Sequence, residues 1–422
     1  MQSHFDAIIA GAGPAGASAA ILLARAGWSI ALIEKLAFPR RKVCGECIAA
    51  TNLELLDALG IGDAVAAGSG SDLRRVALMQ GRSTTIADLP QFDHSHHTWG
   101  KALGRETLDA LLVAQARAVG VVVLQPWSVH SVDGVAGAYR CMLRASGSHD
   151  EALLHAPIVI AACGSWGRLS ASRALKPRSR RSGDLFAFKA NFRHATLPED
   201  LLPVLSFDGG YGGMVLAGRG VATLACCVRA DRVTRLRRTA PEKSAGEVVE
   251  AMLRRECAGV DAALRGARRV GNWLASGPLQ LGIHLRRSDD LLRIGNAAGE
   301  AHPIIGEGLS MAIQSAWLLC AHLLRASARH DGLPDRRQLR VVRDRYASDW
   351  RRHFTRRLHV AAVLAHLAMH PRFSARLVPL LGRRAALLGR AARWGGKVRC
   401  VPDPATIAWL VAHQSRQEIS AT

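Results

Sequence analysis

Hydrophobic residues near the N-terminus follow the order strand, helix, strand. Phe5 to Ala10 is continuously apolar apart from Asp6, which predicts a parallel strand buried on both faces. Pro14 to Ala26 is Ala-rich with apolar residues at helical spacing, and it ends at Gly27. Ser29 to Ile33 then predicts a second strand, so this stretch predicts a βαβ unit.

Three further regions show different periodicities. Arg105 to Ala118 has one apolar helical face and precedes the apolar run Val121 to Leu124, which predicts a helix and then a strand. In the middle third, segments such as Gly213 to Leu216 and Val221 to Val228 are short and β-prone, which predicts a second, antiparallel sheet. After about residue 335 the chain is Arg-, Ala- and Leu-rich and predicted to be helical.

The turn of the βαβ unit carries a GxGxxG motif, Gly11-Ala12-Gly13-Pro14-Ala15-Gly16. Glycines let the backbone turn tightly and approach a pyrophosphate, which the positive end of the helix then attracts. Glu34 lies 18 residues beyond Gly16, just before Lys35, at the end of the second predicted strand. A carboxylate there can accept hydrogen bonds from ribose hydroxyls, so the pattern predicts a dinucleotide site.

A second pair of segments lies at Leu292 to Gly299 (LRIGNAAG) and Pro303 to Gly308 (PIIGEG). They resemble the second flavin signature of the p-hydroxybenzoate hydroxylase and geranylgeranyl reductase superfamily. In that family a strand ends in Gly-Asp, the Asp meets the ribityl chain of the flavin, and the PxxGxG loop lies along the isoalloxazine ring. Asn296 stands here where the family has Asp. An amide also hydrogen-bonds a hydroxyl, so we expect binding to survive with altered strength.

Three more segments extend the resemblance over roughly the first 330 residues. Lys42-Val43-Cys44-Gly45-Glu46 resembles the KxCGE segment of the geranylgeranyl reductase branch, and Arg105 resembles the Arg that begins the family's helix beside the flavin. Ala161 to Ser165 stands at the family's Asp-Gly motif without the acid. The resemblance implies an α/β fold: a Rossmann-like FAD-binding domain, an inserted antiparallel-sheet substrate domain and a helical C-terminal region.

The expected domain boundaries follow from these segments. Residues 1–170 form the first part of the FAD-binding domain, with a short excursion into the substrate domain near 72–100. Residues 171–285 form the substrate-binding sheet domain, 286–330 return to the FAD-binding domain, and 331–422 form the basic helical region.

The motifs and the resemblance together assign a set of FAD-binding residues: Gly11, Gly13, Pro14, Ala15, Gly16, Glu34, Lys35, Lys42, Cys44, Gly45, Arg105, Gly164, Asn296, Ala297, Pro303, Gly306 and Gly308.

The sequence offers three candidate catalytic residues. Cys44 and Cys47 form a CxxC, and the basic residues upstream would favour a thiolate. The motif lacks a thioredoxin-like context, however, so a structural or channel-lining role is the favoured interpretation. His302 precedes the flavin loop, where it could position a substrate hydroxyl or serve only in packing.

We predict no metal site. His94, His96 and His97 are clustered near Asp93, but their spacing fits no established zinc pattern. The nine cysteines are scattered and odd in number, which argues against a disulfide framework.

Most of the net charge of +22 comes from one region of the chain. Residues 336–399 contain 17 Lys and Arg and 2 acidic residues, a net charge of +15. Three interpretations of this basic segment are open. Leu377 to Arg393 fits an amphipathic helix on an anionic membrane. Alternatively, the segment could dock an acidic partner such as a carrier protein, or it could be a solvated basic face. No nucleic-acid recognition motif accompanies the charge. With neither a long apolar run nor a secretory signal, we expect a cytoplasmic protein, with peripheral membrane contact as an option.

Flavin chemistry depends mainly on the cofactor. The resemblance implies FAD, with NAD(P)H as a transient co-substrate because only one GxGxxG is present. The leading hypothesis is a monooxygenase acting on an apolar aromatic or polyketide-like substrate, which could be carrier-bound. A reductase of isoprenoid double bonds is the alternative, although its YxWxFP segment appears only as Tyr211 to Leu216, without Trp and Pro. The sequence lacks the WxWxIP motif of flavin halogenases, so a halogenase is disfavoured. The third functional class considered is a non-catalytic flavoprotein that assembles with a partner.

Overall fold

The computed structural model describes residues 2–92, 96–165, 169, 181–285, 289–330, 332–371 and 399–420. Its strands are β1 (Ala7–Ala10), β2 (Ile30–Ile33), β3 (Cys47–Ile48), β4 (Arg75–Gln80), β5 (Ser83–Asp88), β6 (Lys101–Ala102), β7 (Val122–Leu124), β8 (Trp127–Val135), β9 (Ala138–Ala145), β10 (Glu151–Ala156), β11 (Ile158–Ala161), β12 (Leu185–Arg193), β13 (Leu201–Phe207), β14 (Gly210–Ala217), β15 (Val221–Arg229), β16 (Arg268–Ser276), β17 (Gly282–Ile283), β18 (Leu292–Arg293) and β19 (Gly299–Glu300).

The helices are α1 (Pro14–Arg25), α2 (Ala50–Ala58), α3 (Gly62–Gly68), α4 (Arg105–Ala118), α5 (Ala230–Thr239), α6 (Ala245–Glu256), α7 (Ala258–Leu264), α8 (Gly308–His330), α9 (Arg336–Ala368) and a C-terminal helix (Pro404–Ser420). Short 3-10 turns occupy Gly218–Gly220, Gly295–Ala297 and Pro303–Ile305.

A five-stranded parallel sheet forms the first layer, in the order β18-β11-β1-β2-β7. Strands β1, β2 and β11 are buried along their whole length, as expected where both faces of a parallel sheet are covered. α1 and α8 are among the helices that cover it. The predicted α/β class and the Rossmann-like unit are confirmed.

A seven-stranded sheet forms the second layer, in the order β16-β12-β15-β14-β13-β4-β5. Its pairs are antiparallel except for β4 and β13, which run parallel. α6 and α7 bury apolar residues against one face of this sheet, which leaves the other face directed toward the parallel sheet. The β-prone segment Tyr139 to Leu143, which the sequence predicts as a strand of the second sheet, lies instead in β9 of a separate three-stranded sheet, β8 to β10.

Helix α9 connects the basic C-terminal region to the core. A capping box between Asp335 and Gln338 begins it, and a stripe that includes Tyr346, Trp350 and Phe354 is buried in the main core. Much of the predicted basic surface therefore lies on a helix whose other face is packed. Within the described residues, no helix is both long and apolar enough to cross a membrane.

The predicted amphipathic helix Leu377 to Arg393 lies outside the described residues. The division of the chain at residues 170, 285 and 330 stays a prediction.

Candidate functional site

A cavity of about 400 Å³ lies between the loops of the parallel sheet and the inner face of the seven-stranded sheet. We call its first side the loop wall, which comprises Gly13, Pro14, Ala15, Lys42, Val43, Cys44, Gly45, Glu46, Cys47, Arg105, Ala162, Gly164, Ser165, Gly295, Asn296, Glu300, Ala301, Pro303, Ile304, Gly306 and Gly308. We call the opposite side the sheet wall, which comprises Val76, Ala77, Leu78, Ala187, Phe188, Leu202, Pro203, Val204, Ser206, Tyr211, Gly212, Gly213, Met214, Val215, Ala225, Cys226, Cys227 and Ser276. Leu364, Leu367 and Ala368 of α9 also line the cavity.

The glycine turn after β1 is shaped for a ligand. Gly11 has φ +108°, and a Cβ on it would lie 2.5 Å from the Ala162 carbonyl oxygen, so this position requires glycine. Gly13 differs, because a Cβ there would have Arg105 Nη2, at 4.0 Å, as its nearest neighbour. The space over Gly13 is therefore open, at the N-terminus of α1 where a pyrophosphate is favoured. These residues fit the ADP half of FAD.

Glu34 directly follows β2 and is only 4% exposed. Its Oε2 accepts hydrogen bonds from Ala12 N at 3.1 Å and Arg40 Nη2 at 3.2 Å, and its Oε1 accepts one from Leu36 N at 3.2 Å. The carboxylate thus fastens the glycine turn to β2, in addition to any contact with a ribose. Glu34 is outside the cavity lining, as are four other assigned residues: Gly11, Gly16, Lys35 and Ala297.

Two cations lie on the loop wall, the buried Arg105 and the partly buried Lys42. Arg105 forms a two-point ion pair with Asp109, with Nε to Oδ1 at 2.8 Å and Nη2 to Oδ2 at 2.9 Å. The pKa of Lys42 is lowered to about 8, first by burial and then by repulsion from Arg105 and Arg40. An anionic ligand in the cavity would relieve that repulsion.

A buried ion pair that the sequence analysis did not assign joins the two walls. Lys189 Nζ, in the middle of β12, bonds Glu46 Oε1, and both side chains are 2% exposed. Glu46 Oε1 also accepts from Arg105 N at 2.9 Å, and Thr223 Oγ1 donates to Oε2. The Cys44-Gly45-Glu46 loop is thereby held against the sheet. The only sequence signal was a lysine within an otherwise strand-like apolar run, Leu185–Arg193.

The second flavin segment places Asn296 on the loop wall. Its Nδ2 donates to Ser165 Oγ at 3.0 Å and lies 3.4 Å from Glu300 Oε1. Glu300 Oε2 accepts from Gln280 N at 2.9 Å. Glu300 is a buried cavity-lining residue that the motifs did not identify.

The catalytic candidates occupy distinct positions. Cys44 and Cys47 both line the cavity, and Cys44 Sγ accepts a weak hydrogen bond from Glu46 N at 3.4 Å. His302 lies behind the lining, where its Nδ1 is 3.0 Å from the hydroxyl of Tyr211, a lining residue. Burial lowers the pKa of His302 to about 4 and raises that of Tyr211 well above its ordinary value. Both side chains are therefore neutral at pH 7, so Tyr211 keeps a hydroxyl proton it can donate.

The histidine cluster is only partly described. His94 lies outside the described residues, and His97 Nε2 pairs with Asp57 Oδ2. In the part of the chain that the structure describes, no group of three or more His, Cys, Asp or Glu residues could hold a metal ion.

The C-terminal region contributes one buried cation beside the flavin loop. Arg357 of α9 is 2% exposed, and its Nη1 lies 3.3 Å from Glu307 Oε2 of the PIIGEG segment and 2.9 Å from Gln314 Oε1. Its Nη2 donates to the Arg399 carbonyl oxygen at 3.1 Å. Arg357 therefore belongs to the packed interior, unlike the solvated basic face considered from the sequence.

Comparison with protein families and curated proteins agrees with this geometry. Residues 4–336 match the family model described as FAD binding domain. Conditioned medium factor receptor 1 of Dictyostelium discoideum is 24% identical over 365 residues, which is 78% of this chain and 65% of that protein. Tryptophan 2-halogenase of Chondromyces crocatus is 32% identical over 127 residues, 30% of this chain and 23% of that enzyme. The match thus covers less than two thirds of either relative's length.

Solved structures share the fold over nearly the whole chain. The myxobacterial chondrochloren halogenase has a TM-score of 0.70 at 19% identity, covering 98% of this chain and 97% of that one. PqsL, a probable FAD-dependent monooxygenase of Pseudomonas aeruginosa, has a TM-score of 0.68 at 18% identity, covering 88% and 99%. A geranylgeranyl bacteriochlorophyll reductase-like protein of Thermoplasma acidophilum has a TM-score of 0.67 at 17% identity, covering 99% and 98%.

Proposed function

Because the chain belongs to the FAD binding domain family, we propose that it is an FAD-dependent monooxygenase that hydroxylates an uncharged, apolar substrate held on the sheet wall. One observation carries the proposal. All the charged side chains among the described lining residues lie on the loop wall: Lys42, Glu46, Arg105 and Glu300.

The loop wall would hold the cofactor. The open space over Gly13 and the cations Lys42 and Arg105 suit the diphosphate and the flavin, and Asn296 offers hydrogen bonds for the ribityl chain. When bound, FAD supplies the electron transfer and the reaction with oxygen. The protein's contribution is binding, orientation and the exclusion of water.

The sheet wall would hold the substrate. Its side chains are mainly apolar, for example Val76, Leu202 and Val215, and α9 adds Leu364 and Leu367. Burying a charged group against them without a partner would cost several kcal/mol, so the substrate portion inside the cavity is uncharged. A carrier or an ionised group could still lie outside.

NAD(P)H is proposed as the reductant, docking transiently because the chain has one GxGxxG motif. Anaerobic mixing with NADH or NADPH, followed by flavin absorbance, tests this directly. We expect one of the two to bleach the flavin, and faster when a substrate is present. If neither does, the electrons come from a separate reductase.

The test of hydroxylation uses the reduced holoenzyme, oxygen gas labelled with a heavy isotope, and a panel of uncharged aromatic and polyketide-like compounds. We expect one labelled oxygen atom in a product detected by mass spectrometry. Products made in the presence of chloride or bromide that carry a halogen would instead indicate the activity of the halogenase relatives. FAD binding without turnover of any compound would favour a non-catalytic flavoprotein.

Reduction of an isoprenoid double bond is the second candidate, and Tyr211 supports it. Tyr211 lines the cavity, and its hydroxyl, which is protonated at pH 7 and hydrogen-bonded to His302, could supply the proton that the double bond takes up, while reduced FAD would supply the hydride. The same assay without oxygen separates the candidates, because a reductase adds two hydrogens and no oxygen. Tyr211→Phe would slow that reaction while FAD binding is retained.

A further inference from the structure

Glu300 is a buried carboxyl group on the loop wall to which no flavin motif assigns a role. It is 6% exposed at the end of β19. Burial raises its pKa, while hydrogen bonds from Ser165 and Gln280 N and the charge of Lys42 oppose the shift. A carboxyl group is costly to bury, so its position beside a ligand cavity calls for a partner there.

The neighbouring loops lack the two acids that the family resemblance leads one to expect. Cys163 stands in place of the Asp of the Asp-Gly motif, and Asn296 stands in place of the Asp of the second signature. These loops follow β11 and β18, which pair in parallel, so their ends are adjacent. Asn296 joins them to Glu300, because its Nδ2 reaches both Ser165 Oγ and Glu300 Oε1.

Two of the other charged side chains that line the cavity have charged protein partners. Glu46 is paired with Lys189, and Arg105 is paired with Asp109. Glu300 instead accepts from one backbone N–H and from neutral side chains, and an ionised carboxylate has acceptor sites for about four donors. It is therefore the cavity carboxylate with acceptor capacity for a ligand hydroxyl.

We propose that Glu300 is a flavin-binding residue that, together with Asn296 and Ser165, supplies the carboxylate which the family has at the position of Asn296. The inference depends on FAD binding alone, and hydroxylation does not enter its test.

This pairing explains why an amide, and not a carboxylate, stands at position 296. The Asn296 side chain donates toward Glu300 across 3.4 Å. An Asp at that position would place two carboxylates side by side, and like charges at this distance disfavour each other's ionised form. Asn296→Asp should therefore weaken FAD binding, although it restores the commoner family residue.

The experiment is a double-mutant cycle on FAD affinity, measured by titrating apoprotein and following flavin fluorescence. The proteins are wild type, Glu300→Gln, Asn296→Asp and the double variant Asn296→Asp with Glu300→Gln. We expect each single variant to bind FAD about tenfold more weakly or worse, as for a lost charged hydrogen bond. The double variant should bind more tightly than either, because it restores one carboxylate and one amide in exchanged positions.

Glu199→Gln, a change of a surface carboxylate outside the cavity lining, is the matched control and should leave FAD affinity unchanged. Circular dichroism of each apoprotein checks folding. If Glu300→Gln does not fold, Asn296→Asp compared with the double variant decides the question. Wild-type affinity in Glu300→Gln, or losses that simply add in the double variant, would overturn the proposal. Neither result bears on which substrate is oxidised.

Discussion

The two walls of the cavity are held together by different interactions. The loop wall consists of tight turns, buried charges and hydrogen bonds, and its charged residues Glu46 and Arg105 are held by ion pairs. The sheet wall is a β-surface whose side chains, such as Val215 and Ala225, mostly pack without polar partners. The first arrangement suits one anionic cofactor in one pose, whereas the second suits varied apolar molecules. Changes on one wall should therefore leave the function of the other intact.

The largest expected effect is loss of the cofactor by a change on the loop wall. In Gly13→Val the side chain would fill the open space at the start of α1, where the backbone approaches the diphosphate. We expect protein that folds but is purified colourless, measured by the ratio of flavin to protein absorbance. Gly183→Val, at an exposed turn with open space around it, is the control and should stay yellow.

The second effect is on stability, through the ion pair that joins the walls. Lys189→Met leaves Glu46 buried without its cation, which typically costs about 3–5 kcal/mol of the free energy of unfolding. Denaturant unfolding measures the loss. Adding Glu46→Gln to Lys189→Met should recover part of it, since the unpaired charge is then gone. A single variant as stable as wild type would show that the pair does not support the fold.

A change on the sheet wall should spare the cofactor. Ala225 lies in β15 and lines the cavity, so Ala225→Phe would fill substrate space on the sheet wall. We expect a normal flavin content with at least a tenfold loss of substrate-stimulated NAD(P)H oxidation. Ala225→Ser, which nearly conserves volume, is the control. Loss of FAD in Ala225→Phe would mean that the two walls are not separable.

Lys42 gives a smaller effect with a defined sign. Its pKa falls from 10.5 to about 8 on folding, so the unfolded chain binds more protons between these values and the stability of the apoprotein rises with pH across that window. Lys42→Met should be more stable than wild type as apoprotein below pH 8, yet bind FAD more weakly. Thermal unfolding with and without FAD measures both. If the stability of wild type and of Lys42→Met changes equally with pH, the lowered pKa does not belong to Lys42.

The smallest effect concerns the basic surface. Arg337, Arg340, Arg345 and Arg352 of α9 are exposed. Replacing them with Gln should leave flavin content and turnover unchanged and should weaken sedimentation with anionic vesicles, since each basic residue contributes about 1 kcal/mol near such a surface. If wild type does not bind the vesicles, the remaining interpretations of the basic surface are an acidic protein partner or a solvated face. The arginines of the predicted helix Leu377 to Arg393, which are Arg383, Arg384, Arg390 and Arg393, lie outside the described residues.

Local motifs predicted the fold and much of the loop wall because their geometry is encoded within a few residues. The helix predicted at Arg105 to Ala118 is α4, residue for residue. The Glu46 to Lys189 pair spans 143 residues, and no local pattern could indicate it. No local motif indicated Glu300, because its proposed role depends on contacts that join it to Asn296 and to Ser165, which lies on another loop. Asn296 alone suggested a family site of altered strength, and its contacts with Ser165 and Glu300 led to the proposal that Glu300 supplies the carboxylate.

The central claim, an apolar substrate oxidised over a bound flavin, is tested most directly by following labelled oxygen into product with matched substrates. Each uncharged aromatic compound is paired with its carboxylate counterpart, and both are given to wild type and Ala225→Phe. In wild type, we predict labelled product from the uncharged member of each pair only. In Ala225→Phe, we predict little labelled product although the variant binds its full complement of FAD. Equal labelling of the carboxylate, or a reduced product without label, would contradict it.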